Sequence, residues 1–231
     1  MSLSDFTDLR LADLDRDGAL REAADNLERT SRAGFFAAAA GGMAAAVALG
    51  RPQAAGAALA KSDVAILNYA LTLEYLQDAF YTEAQRKGAL SGAAARLARV
   101  VGAVERAHVK ALRDTLGKQA VKRPFFDFRG VTEAPERFTR TAVAFEDLGT
   151  AAYKGQAHRI KSPQVLAAAV AIHSVEARHA AWIRYIAGVL PAVEPFDEPK
   201  SAKETLQLVR TTRFVVGRPR TRSRRRPRFT G

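Results

Sequence analysis

Val104-Glu105-Arg106-Ala107-His108 and Val175-Glu176-Ala177-Arg178-His179 are two copies of one pattern. Each is a Glu-x-x-His led by valine and followed by an arginine, Arg113 in the first copy and Arg184 in the second. A second pattern, E-x-L-x-x-x-x-Y, precedes both: Glu74, Leu76 and Tyr81, then Glu146, Leu148 and Tyr153. Glu105 follows Glu74 by 31 residues, and Glu176 follows Glu146 by 30. With 12 Glu and 4 His in 231 residues, chance supplies well under one Glu-x-x-His. Two copies with matching flanks and spacing therefore mark an internal repeat.

The chemistry of the repeat is specific. Residues i and i+3 share a helix face, so each Glu-x-x-His aims both side chains the same way. The surroundings are apolar: Leu71-Thr72-Leu73 before Glu74, Ala142-Val143-Ala144-Phe145 before Glu146, Val170-Ala171-Ile172 ahead of Glu176. Carboxylates rarely face a core unless paired or bound to metal, and four together repel one another and take up protons. Two divalent cations with two neutral imidazoles bring four carboxylates to zero net charge. One lone Glu and one Glu-x-x-His from each half are what a two-metal site in a four-helix bundle requires. The expected ligands are Glu74, Glu105, His108, Glu146, Glu176 and His179. Mixed oxygen and imidazole donors suit iron or manganese, with zinc as the alternative.

The rest of the chain fits an all-α fold. An apolar content of 48% supports a proper core, and Ala- and Leu-rich runs carry few strand signals. Punctuation by Ser, Gly and Pro predicts helices over about 63–87 (Ser62 as N-cap, Gly88 as stop), 92–116 (Ser91 as N-cap), 135–158 and 163–188 (Ser162 as N-cap). The first and second pairs are joined by a few residues each and read as antiparallel hairpins. The link at 118–134 has 17 residues, including Pro124-Phe125-Phe126-Asp127-Phe128. Fully extended it reaches about 55 Å. A helix of this size is about 37 Å long. The link can therefore run the length of the bundle and leave the second and third helices parallel. A short fifth helix follows, opened by a Ser201/Glu204 capping box.

The domain reading is thus 1–60 as an N-terminal extension, 61–190 as the bundle, 191–216 as a C-terminal extension and 217–231 as a basic tail. Seven of the net +12 charges are arginines between Arg218 and Arg228, a stretch without an acid. This tail is expected to be disordered, with an acidic surface or nucleic acid as its candidate partner. Residues 35–49 are weakly apolar and too short for a membrane span, but suit the h-region of an export signal. Ala58-Leu59-Ala60 then reads as a cleavage site. Exported or periplasmic location, with membrane association through 35–49, is the expectation, and cytoplasmic location the alternative. The chain has no Cys, so disulfides, thiolate metal sites and iron–sulfur centres are excluded. Met occurs only at Met1 and Met43, which speaks against a haem held by Met in the bundle.

"ILNYALTLEYLQDAFYTEA" (66–84), "VERAH" (104–108), "AFEDLGTAAYKG" (144–155), "VEARHAAWIR" (175–184) and "PFDEP" (195–199) resemble the bacterial ferritin-like domain family, exported ferritin-like or desiccation-related proteins, over about 62–216. The resemblance implies a ferritin-like four-helix bundle with two iron ions. It implies that Glu105 and Glu176 bridge the metals, that Glu74 and Glu146 are terminal carboxylates, and that His108 and His179 bind one metal each. Tyr81 matches the position where ferritins place a tyrosine behind the ligands, and Tyr153 is its mate. His173, three residues before Glu176, is a candidate donor behind the ligands or a boundary residue. His158 ends the third helix, where a cation suits the dipole. The implied chemistry is oxidation of Fe(II) by oxygen or peroxide, in iron handling or stress protection. A non-catalytic exported protective bundle is the alternative, and nucleic-acid binding through the tail a weaker one. A homodimer is expected by default.

Overall fold

The computed structural model of the chain describes residues 59–192 and 194–217. Nearly all of the N-terminal extension, with the apolar segment at 35–49, and the arginines of the tail lie outside them. Among the described residues there are five α-helices: α1 (Lys61–Lys87), α2 (Gly92–Leu116), α3 (Pro135–Ala157), α4 (Pro163–Ile186) and the shorter α5 (Ala202–Thr212). None of them is long and apolar enough to cross a membrane. One two-residue strand, β1 (Phe125–Phe126), pairs antiparallel with another, β2 (Val215–Val216).

Helix ends follow local chemistry with two corrections. Ser162 caps α4 as expected, its hydroxyl accepting from the Val165 amide, and the Ser201/Glu204 capping box opens α5. Helix α1, however, begins at Lys61 behind Ala60, and Ser62 does not cap it. Ser91 occupies the N-cap of α2 without a side-chain bond. Asp63, inside the first turn of α1, instead serves another helix. Its carboxylate accepts from the Lys161 and Ser162 amides at 3.0 and 2.8 Å, just before α4. An acid aimed at exposed N–H groups at a helix start is favourable on both hydrogen-bond and dipole grounds.

The path of the 118–134 segment determines the topology. It meets α1 in ascending order: Asn68 bonds Gln119 and Val121, Asp78 pairs with Arg123, Phe80 packs on Phe128, Glu83 accepts from Thr132 and Lys87 pairs with Glu133. The segment therefore travels along α1 in the direction of α1. Because α2 returns antiparallel to α1, α3 starts beside the beginning of α2 and runs parallel to it. This is the bundle with one long crossover.

Far from being a bare linker, the crossover supplies core. Phe128 is buried edge-on to Phe80 at 5.4 Å between centroids and against Phe214, and Phe80 in turn stacks on Phe138 at 5.1 Å, all within one core cluster. The β1–β2 pairing brings Phe214 into this cluster, which packs against Tyr81. The C-terminal extension lies along α3, where the Lys200 amide donates to the Ala151 carbonyl at 3.0 Å. Gly155 is required there, since a Cβ would sit 1.9 Å from the Lys200 carbonyl oxygen.

Candidate metal centre

Each long helix turns a glutamate, and two of them also a histidine, into the mostly apolar interior. Helix α1 contributes Glu74, α2 Glu105 and His108, α3 Glu146, α4 Glu176 and His179. All four glutamates are completely buried and the two histidines nearly so. Their atoms form two groups: Glu74, Glu105, His108 and Glu176, and Glu105, Glu146, Glu176 and His179. Within each group one atom from every residue lies within 4.8 Å of the others. Glu105 and Glu176 belong to both groups, and the imidazole centroids are 6.4 Å apart.

His108 Nδ1 faces Glu176 at 3.2 Å, Glu74 at 3.3 Å and Glu105 at 3.4 Å. His179 Nδ1 faces Glu105 at 3.0 Å and Glu146 at 3.3 Å. These approaches lack the alignment of hydrogen bonds. Seven buried atoms are left with no hydrogen-bond partner: Glu74 Oε2, both oxygens of Glu105, His108 Nδ1, Glu146 Oε2, Glu176 Oε1 and His179 Nδ1. A buried polar atom without a partner is costly, and seven at one point are untenable for a finished core. Five oxygens and two imidazole nitrogens are a donor set for hard or borderline cations. The residues fit a pair of divalent ions.

Electrostatics agree. Burial pushes the Glu74 carboxyl up, the facing His108 pulls it down and Glu105 pushes it up again, to about 7. Burial also raises Glu146. Burial disfavours the imidazolium of His179, but Glu105 and Glu146 outweigh it and lift the group to about 10. His108 is likewise lifted well above the ordinary range against its burial, chiefly by Glu74. A buried cluster that draws protons onto its own side chains is short of positive charge.

The tyrosines tie the repeat together crosswise. Tyr81 of α1 donates to Glu146 of α3, and Tyr153 of α3 donates to Glu74 of α1 at 2.5 Å. Burial, and then the facing carboxylate, holds both phenols well above their usual pKa, so they stay protonated as donors. Each half therefore orients a buried carboxylate of the other. His173 is half-buried and stands outside both groups, with Nε2 unpartnered. His158 is exposed at the C-cap of α3. Gly102, three residues before Glu105, lets α2 approach α1, since a Cβ there would lie 2.8 Å from Tyr81 Cβ.

One contact was not foreseen from the sequence. Gln77 is buried on α1, and its Nε2 donates to Glu176 Oε2 at 3.2 Å. The signal was its place three residues after Glu74, on the same face.

A family model described as a ferritin-like domain matches residues 62–189. That is more than half of the chain and spans all four long helices. The chain belongs to the ferritin-like domain family. Among curated proteins no match is found. The ferritin-like domain thus holds buried Glu/His clusters that could bind metal ions, as its sequence repeat requires.

Proposed function

We propose that this ferritin-like domain carries a dinuclear iron centre held by Glu74, Glu105, His108, Glu146, Glu176 and His179, and that it consumes oxygen or peroxide while oxidising Fe(II). The observation that carries this reading is the set of seven partnerless ligand atoms converging from four helices. Bound there, a pair of iron ions would supply two electrons to one molecule of oxidant.

The chain's own residues account for the rest. Four carboxylates balance two divalent cations when both imidazoles are neutral. Glu105 offers an oxygen to each imidazole's side, Oε2 toward His108 and Oε1 toward His179, as a bridging ligand must. The phenols of Tyr81 and Tyr153 fix Glu146 and Glu74 by one oxygen each and leave the other for a cation. Leu73, Leu76 and Phe145 are buried in the core and lie together beside Gln77.

The test is metal analysis and oxidant uptake on purified chain loaded anaerobically with Fe(II). Two irons per chain, with uptake lost in Glu105→Ala/Glu176→Ala, is the expected outcome. Clearly fewer than two would overturn the reading. Two irons without oxidant consumption would instead favour the non-catalytic protective role.

A further inference from the structure

Nearly every contact at the centre has a counterpart in the other half of the repeat. Tyr81 to Glu146 mirrors Tyr153 to Glu74, and His108 to Glu74 mirrors His179 to Glu146. The approach of His108 to Glu176 mirrors that of His179 to Glu105. Two features break the pattern, and they share one cause.

The first is Gln77. Its counterpart in the repeat, three residues after Glu146, is Gly149, which has no side chain to donate. A Cβ there would come within 2.8 Å of Glu176 Oε2 and 3.5 Å of the Gln77 amide nitrogen, so a side chain at 149 would displace the carboxylate from its present place. The amide and the carboxylate oxygen thus fill the space that a side chain on α3 would take. Leu73, Leu76, Phe145 and Leu148 surround this point and offer no competing donor.

The second feature concerns the Glu-x-x-His pairs themselves. His108 lies 3.4 Å from Glu105 of its own pair. The equivalent approach of His179 to Glu176 is missing among the described residues, although the two fall in one group at the wider 4.8 Å limit. Glu176 is drawn toward Gln77 by Oε2 and keeps only Oε1 unpartnered, on the His108 side. Glu105, with no such donor, has both oxygens free.

We infer that Gln77 is a positioning residue that makes the two metal positions unequal, by holding one oxygen of Glu176 away from the His179 side. The inference rests on the two-metal reading above. The position beside His108 has Glu74, Glu105 and Glu176 as carboxylate neighbours, and fills first. The position beside His179 has Glu105 and Glu146 in close range, and fills second. Groups that orient a ligand in this way commonly change metal affinity by about 10- to 100-fold.

The test is a Co(II) titration of the full chain, read by visible absorption and calorimetry, on wild type and Gln77→Leu. Leucine keeps the bulk and removes the donor. Wild type should take up two Co(II) in resolved steps whose dissociation constants differ by about tenfold or more. In Gln77→Leu, Glu176 is free to turn, the second step tightens and the ratio falls to within about threefold, with both ions retained. Two indistinguishable steps in wild type, or an unchanged ratio in the variant, would overturn the inference. Fewer than two Co(II) in wild type would instead sink the two-metal reading. Should the variant not fold, a structure of cobalt-loaded wild type decides. Glu176 Oε2 resting on Gln77 supports the inference, and Oε2 bound to the ion beside His179 overturns it.

Discussion

Glu74 shows what assembling this centre without cations costs. Its folded-state pKa of about 7 lies above the ordinary 4.5, so the metal-free fold binds a proton there that the unfolded chain releases. The sign follows from linkage: this stabilisation is complete below pH 4.5 and is lost as pH rises through 7. His179, raised from 6.5 to about 10, acts in the same direction at higher pH. The metal-free domain should therefore lose melting temperature steadily between pH 5 and pH 9. Metal competes with the same protons, so stabilisation by added Mn(II) or Fe(II) should grow over that range. Thermal melts at several pH values, with and without metal, check both slopes. A metal-free domain that becomes more stable with rising pH would contradict this account. At this scale the convergence of the six Glu and His side chains was legible, because i,i+3 spacing on an apolar face aims each pair inward together. The crosswise tyrosine bonds were not, because spacing within one helix cannot reveal which neighbour a side chain reaches.

Asp63 is the clearest case at the scale of elements. It sits on α1 yet satisfies the amides that open α4, and so ties the two halves of the repeat at one end of the bundle. Burial pushes its carboxyl up, but the bonds from Lys161, Ser162 and Ser62 outweigh that and leave it below the ordinary 3.8. Its contribution is therefore present above pH 3.8 and lost as pH falls through the folded value. Asp63→Ala should cost about 1–3 kcal/mol near neutral pH. Urea unfolding should show the gap to wild type closing in acid, and a gap independent of pH would contradict the assignment. The helix limits themselves were largely readable from Gly and Pro punctuation. Ser62 misled because a serine before an acidic residue looks like an N-cap, while Asp63 is claimed by a partner 98 residues away. No local rule reports such a contact. Likewise the pairing of Phe126 with Val215 joins segments far apart in sequence, each too short to show strand periodicity.

The described residues form a doubled hairpin closed by a crossover that is itself part of the core. The length of the 118–134 segment predicted parallel α2 and α3, and its stepwise contacts along α1 bear that out. Its aromatic residues do more than span a distance, since Phe128 is buried against rings from α1 and the C-terminal extension. Burying such a ring contributes on the order of 2 kcal/mol, which makes the crossover a structural member. The two-fold relation of the halves was legible because both carry the same rare residues. Its breakage at Gln77 and Gly149 was not, because Gln and Gly have ordinary explanations on any helix. The most direct measurement is anomalous diffraction from crystals of the chain soaked in Fe(II). Two iron peaks are expected inside the bundle, one against Glu74 and His108, the other against Glu146 and His179, with Glu105 between them. No internal peak, a single one, or iron confined to the surface would contradict the two-metal reading.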